Sequence, residues 1–218
     1  MTKAETTRSR ILDAALDLFQ SRGFDATTMR DVASRAAVAT GAAYYYFDSK
    51  EAIVMAFYQR AMDQMQPLLD DALDGSRSFE AGLDNLIRIK LEYFAPHRSV
   101  LRALLRNGAD PAHPLSPFSD ETKAIRESDT SYFTRLLERH AARTPRDFVP
   151  HLPGILWLYQ MGVIFFWVID DSAQQKRSFR LLKQSAGLVS GLLKLSSLPL
   201  TRPLRKPLID LIETVTGA

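Results

Sequence analysis

Thr28, Arg30, Thr40, Gly41, Ala42, Tyr44, Tyr45, Tyr46 and Lys50 crowd into one short stretch of a 218-residue chain. Their types suit contact with duplex DNA. Tyr44 and Tyr46 carry hydroxyls that donate to phosphate oxygens, and Lys50 adds a full positive charge. The Arg30 guanidinium matches a guanine edge bidentately. Thr40, Gly41, Ala42 and Tyr45 are placed to touch base edges, with the Ala42 methyl suited to a thymine methyl. Thr28, Thr40 and Lys50 each stand at an expected helix start, where free amides and the helix dipole favour phosphate. Singly, each has a plainer reading: an arginine on a helix is usually solvated, and a Tyr-Tyr-Tyr-Phe run is usually packing. The combination is more specific than any member.

The elements that must position these residues are legible locally. Ile11, Leu12, Ala15, Leu16, Leu18 and Phe19 form a helical apolar stripe, and Ser21-Arg22-Gly23 supplies a glycine stop. Thr28 is placed to cap a second helix, with Asp31 three residues on as in a capping box. Met29, Val32, Ala33 and Ala36 make its inner face. Thr40 is read as the cap of a short third helix reaching Phe47, a core residue. Asp48 or Ser49 then caps a long fourth helix through Ile53, Phe57, Ala61 and Met65, toward Pro67 or Leu73. Two short helices joined by a tight turn, the second small and polar-aromatic, form a helix-turn-helix. In that arrangement the second helix presents its N-terminal half to the major groove.

The remainder also reads as helix, with no convincing alternating strand. Helices are expected over Phe79 to Phe94, Val100 to Arg106, Ser119 to Arg143, Leu152 to Asp170 and Gln174 to Ser196. Residues 108–117 form the clearest long loop. Thr144-Pro145 looks like a helix start, which Pro150 and Pro153 must kink or restart. The fold class is all-α: an N-terminal three-helix DNA-binding domain over residues 1–50, a helical domain over 51–198, and a basic tail over 199–218 with a short helix near Leu208 to Val215.

Composition narrows the function. With 46% hydrophobic and 24% charged residues the chain is ordinary for a folded protein. Without cysteine, disulfides and thiolate metal sites are impossible, and a reducing cytoplasm is the expected compartment. The N-terminus lacks the apolar core of a signal peptide. The apolar run from Ile155 to Ile169 is broken by Gln160 and is read as a buried helix, so no membrane partner is expected. His97, His113, His140 and His151 are scattered. There is no phosphate loop, nucleophile elbow or metal-binding helix, so no enzyme activity, catalytic residue, metal or cofactor is expected. Residues 1–50 hold seven Lys/Arg against six Asp/Glu, whereas 172–218 hold eight against two. The head is only weakly basic, which disfavours non-specific nucleic-acid binding by counterion release.

Residues 8–58 resemble the DNA-binding domain of the TetR (tetracycline-repressor-like) family of bacterial transcriptional regulators. The resemblance rests on Arg22-Gly23-Phe24, on Thr28-Met29-Arg30-Asp31-Val32-Ala33, and on Tyr44-Tyr45-Tyr46-Phe47-Asp48-Ser49-Lys50-Glu51. Ala43 stands where leucine is usual, and Ala37 where glycine is common. The resemblance implies a ligand-binding and dimerisation domain after the head, and repression as the usual mode. The later residues agree with that expectation. Leu182, Ala186, Gly187, Val189, Ser190, Gly191 and Leu193, beside Leu181, Leu188 and Leu192, mark the last long helix as a homodimer face. Small residues there permit close helix approach. Leu152 to Ile169 is apolar nearly all round and needs cover on several sides, which a two-fold partner provides. Phe57, Tyr58, Met62, Met65, Phe94, Trp157, Tyr159, Gln160 and Phe165 are the expected lining of an apolar effector pocket. The alternative is an apolar-ligand carrier without sequence-specific DNA binding. A dimer reading a palindromic operator needs its two recognition helices about 34 Å apart, and an effector favouring another spacing releases the DNA.

Overall fold

The computed structural model describes residues 2–107, 110, 112–140, 144–196 and 198, with isolated positions 203, 207, 209 and 210 of the tail. Of the expected tail helix near Leu208 to Val215, only positions 209 and 210 lie among the described residues. Nine α-helices are described: α1 Lys3–Arg22, α2 Met29–Arg35, α3 Thr40–Tyr46, α4 Lys50–Asp74, α5 Phe79–Phe94, α6 Arg98–Asn107, α7 Lys123–His140, α8 Leu152–Ile169 and α9 Lys176–Ser196. No strand occurs among the described residues. Packing divides the chain into two compact units, one of residues 1–65 with 93–126 and one of 66–92 with 127–218. Residues 51–65, expected with the body, pack with the head.

The first unit is built from local signals. Thr2 and Glu5 form a capping box that opens α1, and Gly23 at φ 91° ends it, a backbone angle that favours glycine. The Thr28 hydroxyl accepts the Asp31 amide, while the Asp31 carboxylate accepts the Thr28 amide at 2.9 Å. That is the box the spacing predicts. Ser49, rather than Asp48, caps α4 by accepting the Ala52 amide at 3.0 Å. The third helix departs from expectation: Ala39 holds the cap position, Thr40 is already helical, and no side chain caps α3. Ile11, Ala15, Phe19, Val32, Ala33, Ala43, Phe47, Ile53 and Phe57 are buried in one cluster that also takes in Val100, Leu104 and Leu115.

Leu115 shows that the segment before α7 is no slack loop. Ser116, Ser119 and Thr122 are buried there, with the Thr122 hydroxyl donating to the Ser116 carbonyl at 2.7 Å and the Ser119 hydroxyl to the Pro114 carbonyl at 3.1 Å. This network delays helix α7 to Lys123, four residues past the expected start. Residues 145–151 likewise form turns, so the helix expected at Thr144-Pro145 begins at Leu152, with Pro153 in its first turn.

Between α2 and α3 the chain turns through Ala37 at φ 51°. A left-handed non-glycine residue costs about 1–2 kcal/mol, and glycine's looser unfolded chain returns about 0.4–1 kcal/mol of that. Ala37→Gly is therefore expected to stabilise the protein by about 0.5–1 kcal/mol in thermal unfolding. An unchanged or lowered midpoint would contradict the strained turn.

The second unit has two polar features within an apolar body. Lys90 on α5, Asp129 on α7 and Gln160 on α8 are all buried together. The Lys90 ammonium pairs with the Asp129 carboxylate and donates to Gln160 Oε1 at 2.5 Å, and Gln160 Nε2 donates to Asp129 Oδ2 at 2.5 Å. After α8, the buried Asp170 carboxylate accepts from the amide of Ser178 at 2.9 Å, its hydroxyl at 2.7 Å, the Ser172 amide at 3.0 Å and Arg177 Nε at 3.1 Å. Burial alone would raise its pKa. The hydrogen bonds from Ser178 and Ser172 outweigh that and hold the carboxyl well below the usual carboxylate range. This anchor fixes the turn into α9, where Gln174 and Gln175 take left-handed backbone angles.

Candidate nucleic-acid interface

Helix α3 carries the exposed part of the sequence-predicted site. Thr40, Gly41, Tyr44 and Tyr45 are exposed, Tyr45 at 83% and Tyr44 at 52%, while Ala42 and Tyr46 are half-buried. Ala43, the alanine standing at the usual leucine, is fully buried in the head core. Tyr46 meets Tyr45 edge-on with ring centroids 5.2 Å apart, which stiffens the end of the helix. A Cβ built on Gly41 would meet no atom within 4 Å, so its outward face is open. Without a side-chain cap, the first amides of α3 keep their hydrogen-bonding capacity for an outside acceptor.

The other expected contacts are distributed differently. Arg30 and Thr28 are exposed on α2. The Thr28 hydroxyl, however, is committed to Asp31, to whose carboxylate it donates at 2.5 Å. That bond, then the Thr28 amide, holds the Asp31 carboxyl below its ordinary pKa. The N-terminus of α2 is thus already occupied by its own carboxylate.

Lys50 also has a structural role. Its ammonium donates to the Phe24 carbonyl at 2.7 Å and lies 4.5 Å from the centre of the Phe24 ring. It ties the start of α4 to the turn after α1. Two supports escaped the sequence reading. Arg10 donates to the Ala36 carbonyl at 2.9 Å, bracing the turn before α3. Arg8 lies 4.8 Å over the Phe47 ring. Both link residues far apart in sequence, and no local pattern announces them.

The expected effector lining divides between the two units. Phe57 is fully buried with Phe94 and His97 at ring-centroid distances of 5.8 and 5.0 Å, and serves as core of the first unit. Tyr58 stacks beside Phe57, and burial pushes its phenol pKa up. Met65 is buried and Met62 half-buried. In the second unit Trp157 and Gln160 are buried, and the Tyr159 hydroxyl hydrogen-bonds Ser185 at 2.6 Å. Phe165 is corrected: it is exposed on α8 and lines no interior. The partners of Gln160, Lys90 and Asp129, were not foreseen.

The α9 face also needs correction. Leu182, Ala186 and Ser190 are covered by their own chain, and a Cβ on Gly187 would meet the Glu80 carboxylate at 3.3 Å. These four face inward. Val189 and Leu193 are half-buried and Gly191 exposed. The open stripe is Leu181, Leu188, Leu192 and Leu195. At 3.6 residues per turn it lies roughly 150° around the helix from the buried stripe. Helix α8 adds exposed Phe165 and Ile169. By length and composition α8 would suit a membrane span. Buried Leu152, Leu156, Val163 and Trp167, with Gln160 held in an ion cluster, instead make it a helix of a folded body.

Residues 11–57 match the family of bacterial regulatory proteins known as the tetR family, and residues 83–213 match the tetracyclin repressor-like C-terminal domain. The second match alone spans more than half of the chain. The protein belongs to the TetR family. The chain is 24% identical over 110 residues to the HTH-type transcriptional regulator UidR of Escherichia coli K12, an alignment covering 50% of this chain and 56% of that protein. It thus spans about half the length of that curated relative. Among solved structures it resembles the TetR regulator of Nitrosomonas europaea (TM-score 0.67, 21% identity, 84% of this chain and 97% of that one). It also resembles Thermus thermophilus FadR, a transcriptional repressor in complex with lauroyl-CoA (TM-score 0.62, 21% identity, 88% and 95%). At these identities the structural likeness speaks for the fold.

Proposed function

We propose that this protein is a homodimeric transcriptional repressor that binds a palindromic operator and is released by an apolar small molecule. The observation that carries the reading is the exposed, uncapped face of α3, with Thr40, Gly41, Tyr44 and Tyr45 outward on a head braced by Lys50 and Arg10. A short helix with small residues first and tyrosines last fits the major groove, with hydroxyls left for flanking phosphates. The open leucine stripe of α9 supports a two-fold partner. Repression and a small-molecule effector bearing an acyl chain are supported by the structural likeness to Thermus thermophilus FadR, a repressor in complex with lauroyl-CoA.

A gel-shift titration against DNA flanking the protein's own gene, with a shuffled duplex as control, tests the operator. Tyr45→Ala and Thr40→Ala are expected to weaken operator binding by about 1–3 kcal/mol each, the usual worth of a base contact, with the fold retained by circular dichroism. Equal, salt-sensitive binding to both duplexes would replace the specific reading with a non-specific one. No binding to either at low salt would leave an apolar-ligand carrier.

A further inference from the structure

We propose that Arg8 and Arg10 of α1 are positioning residues for operator reading: they grip the two ends of α3 and set its presentation to base edges, and they do not act as phosphate contacts. The inference rests on the DNA-binding reading above.

Residues 1–50 hold seven Lys/Arg, and most of them are engaged within the head. Arg10 Nη2 donates to the Ala36 carbonyl at 2.9 Å, and Lys50 Nζ to the Phe24 carbonyl at 2.7 Å. Arg22 and Arg35 lie 3.8 and 3.0 Å from the carboxylates of Asp31 and Asp17. Arg8 lies 4.8 Å over the Phe47 ring. Lys3 and Arg30 remain, with no side-chain hydrogen bond or ion pair among the described residues. With so few cations turned outward, specific binding by this head depends on how accurately α3 is held more than on counterion release.

Two of these contacts bracket α3. Residues two apart diverge by about 200° around a helix, so Arg8 and Arg10 leave α1 toward separate points of the helix-turn-helix. Arg10 reaches Ala36, the C-cap of α2. A carbonyl there is among those a helix leaves unpaired, and the local dipole favours a cation. The chain then turns left-handed at Ala37 and closes with the Val38 amide on the Ala33 carbonyl at 3.0 Å, directly before α3. Arg8 covers Phe47, the C-cap at the other end, which is buried and returns its amide to the Ala43 carbonyl at 3.0 Å. Helix α3 has seven residues and no side-chain cap, too short to hold its own shape. Its direction is therefore fixed by the buried Ala43 and by what grips its ends. Hydrogen bonds to base edges need a side chain placed to within a fraction of an ångström, whereas attraction to phosphate tolerates far more.

The test compares the full-length protein with its Arg10→Met and Arg8→Ala variants in gel shifts on DNA flanking the protein's own gene and on a shuffled duplex, across a salt series. Arg10→Met keeps the apolar stem and removes the donor; Arg8→Ala removes the guanidinium over Phe47. Each variant is expected to stay folded by circular dichroism and to lose about tenfold in preference for the flanking duplex, within the range that one base contact discriminates. Destabilisation alone lowers the active fraction equally on both duplexes and leaves that ratio unmoved. The slope of log affinity against log salt is expected to stay as in the parent. Loss of a phosphate contact would instead make it shallower by about 0.9 for each head bound. Hydrogen exchange gives a readout without DNA: the Val38, Ala42 and Ala43 amides are expected to exchange about tenfold faster in Arg10→Met, with the α1 amides unchanged. An unchanged preference in both variants, equal loss on both duplexes with a shallower slope, or unchanged exchange in the turn and α3 would each overturn the proposal. A parent that binds both duplexes alike removes the operator reading and with it the specificity role, while faster exchange keeps Arg10 as the brace of α3.

Discussion

Lys90→Met is expected to destabilise the protein by about 3–5 kcal/mol, the cost of leaving a buried charge without its partner. The side chain is a good volume match, so no cavity accounts for the loss. What remains is the Asp129 carboxylate, buried and accepting from the Gln160 amide at 2.5 Å. Asp129→Leu should cost a similar amount by stranding the ammonium instead. The two changes together are expected to fall within about 1 kcal/mol of the parent or above it, because a buried ion pair adds little net stability over apolar groups of its own size. Urea unfolding of the four proteins closes the cycle, and the large coupling energy between the sites is the signature of the pair. A double variant as unstable as the sum of the singles would mean that the helices depend on packing geometry at these positions and not on charge pairing.

The contrast between this cluster and the head shows what a sequence makes visible. The Thr28–Asp31 box, the Gly23 stop and the Ser49 cap each involve residues at most four apart, so residue type and spacing expose them directly. The recognition helix is legible for the same reason, together with its family motif. Lys50 is different. Its ammonium meets a carbonyl 26 residues earlier, a contact that only the folded head creates. Lys90, Asp129 and Gln160 lie 39 and 31 residues apart along the chain, and nothing local distinguishes the lysine from any solvated one. Helix α8 is apolar almost all round, so its sequence carries no period that says which side faces inward. Helix α9 carries apolar or small residues on two sides. Small residues marked Ala186, Gly187 and Ser190 as a close-approach face, and they are one, but against their own chain, with Glu80 lying over Gly187.

That register on α9 leads to the prediction with the largest functional consequence. Leu188→Glu, at a position 64% exposed, is expected to leave the protomer folded while abolishing the proposed dimer. Leu181, Leu188, Leu192 and Leu195 repeat at intervals of seven, four and three residues, which sets one continuous apolar ridge along the helix. A carboxylate placed in the middle of such a ridge must be desolvated when a partner packs over it, and two-fold symmetry presents it twice. In the proposed homodimer on a palindromic operator, each head reads one half-site, so operator binding would depend on the dimer. Linking two modest half-site contacts multiplies affinity by about 10²–10⁴, and the monomer forfeits that factor. The expected result is therefore a shift to monomer mass in light scattering and a loss of operator affinity of about 10²–10⁴-fold, with circular dichroism unchanged. Leu182→Glu is the matched control. Its side chain is fully buried inside the protomer, so the same substitution six positions earlier should unfold the helical body itself. If Leu188→Glu remains dimeric and binds DNA as before, the ridge is not the subunit contact. If both variants unfold alike, α9 is covered on both sides within one chain, and the two-fold partner must seat elsewhere.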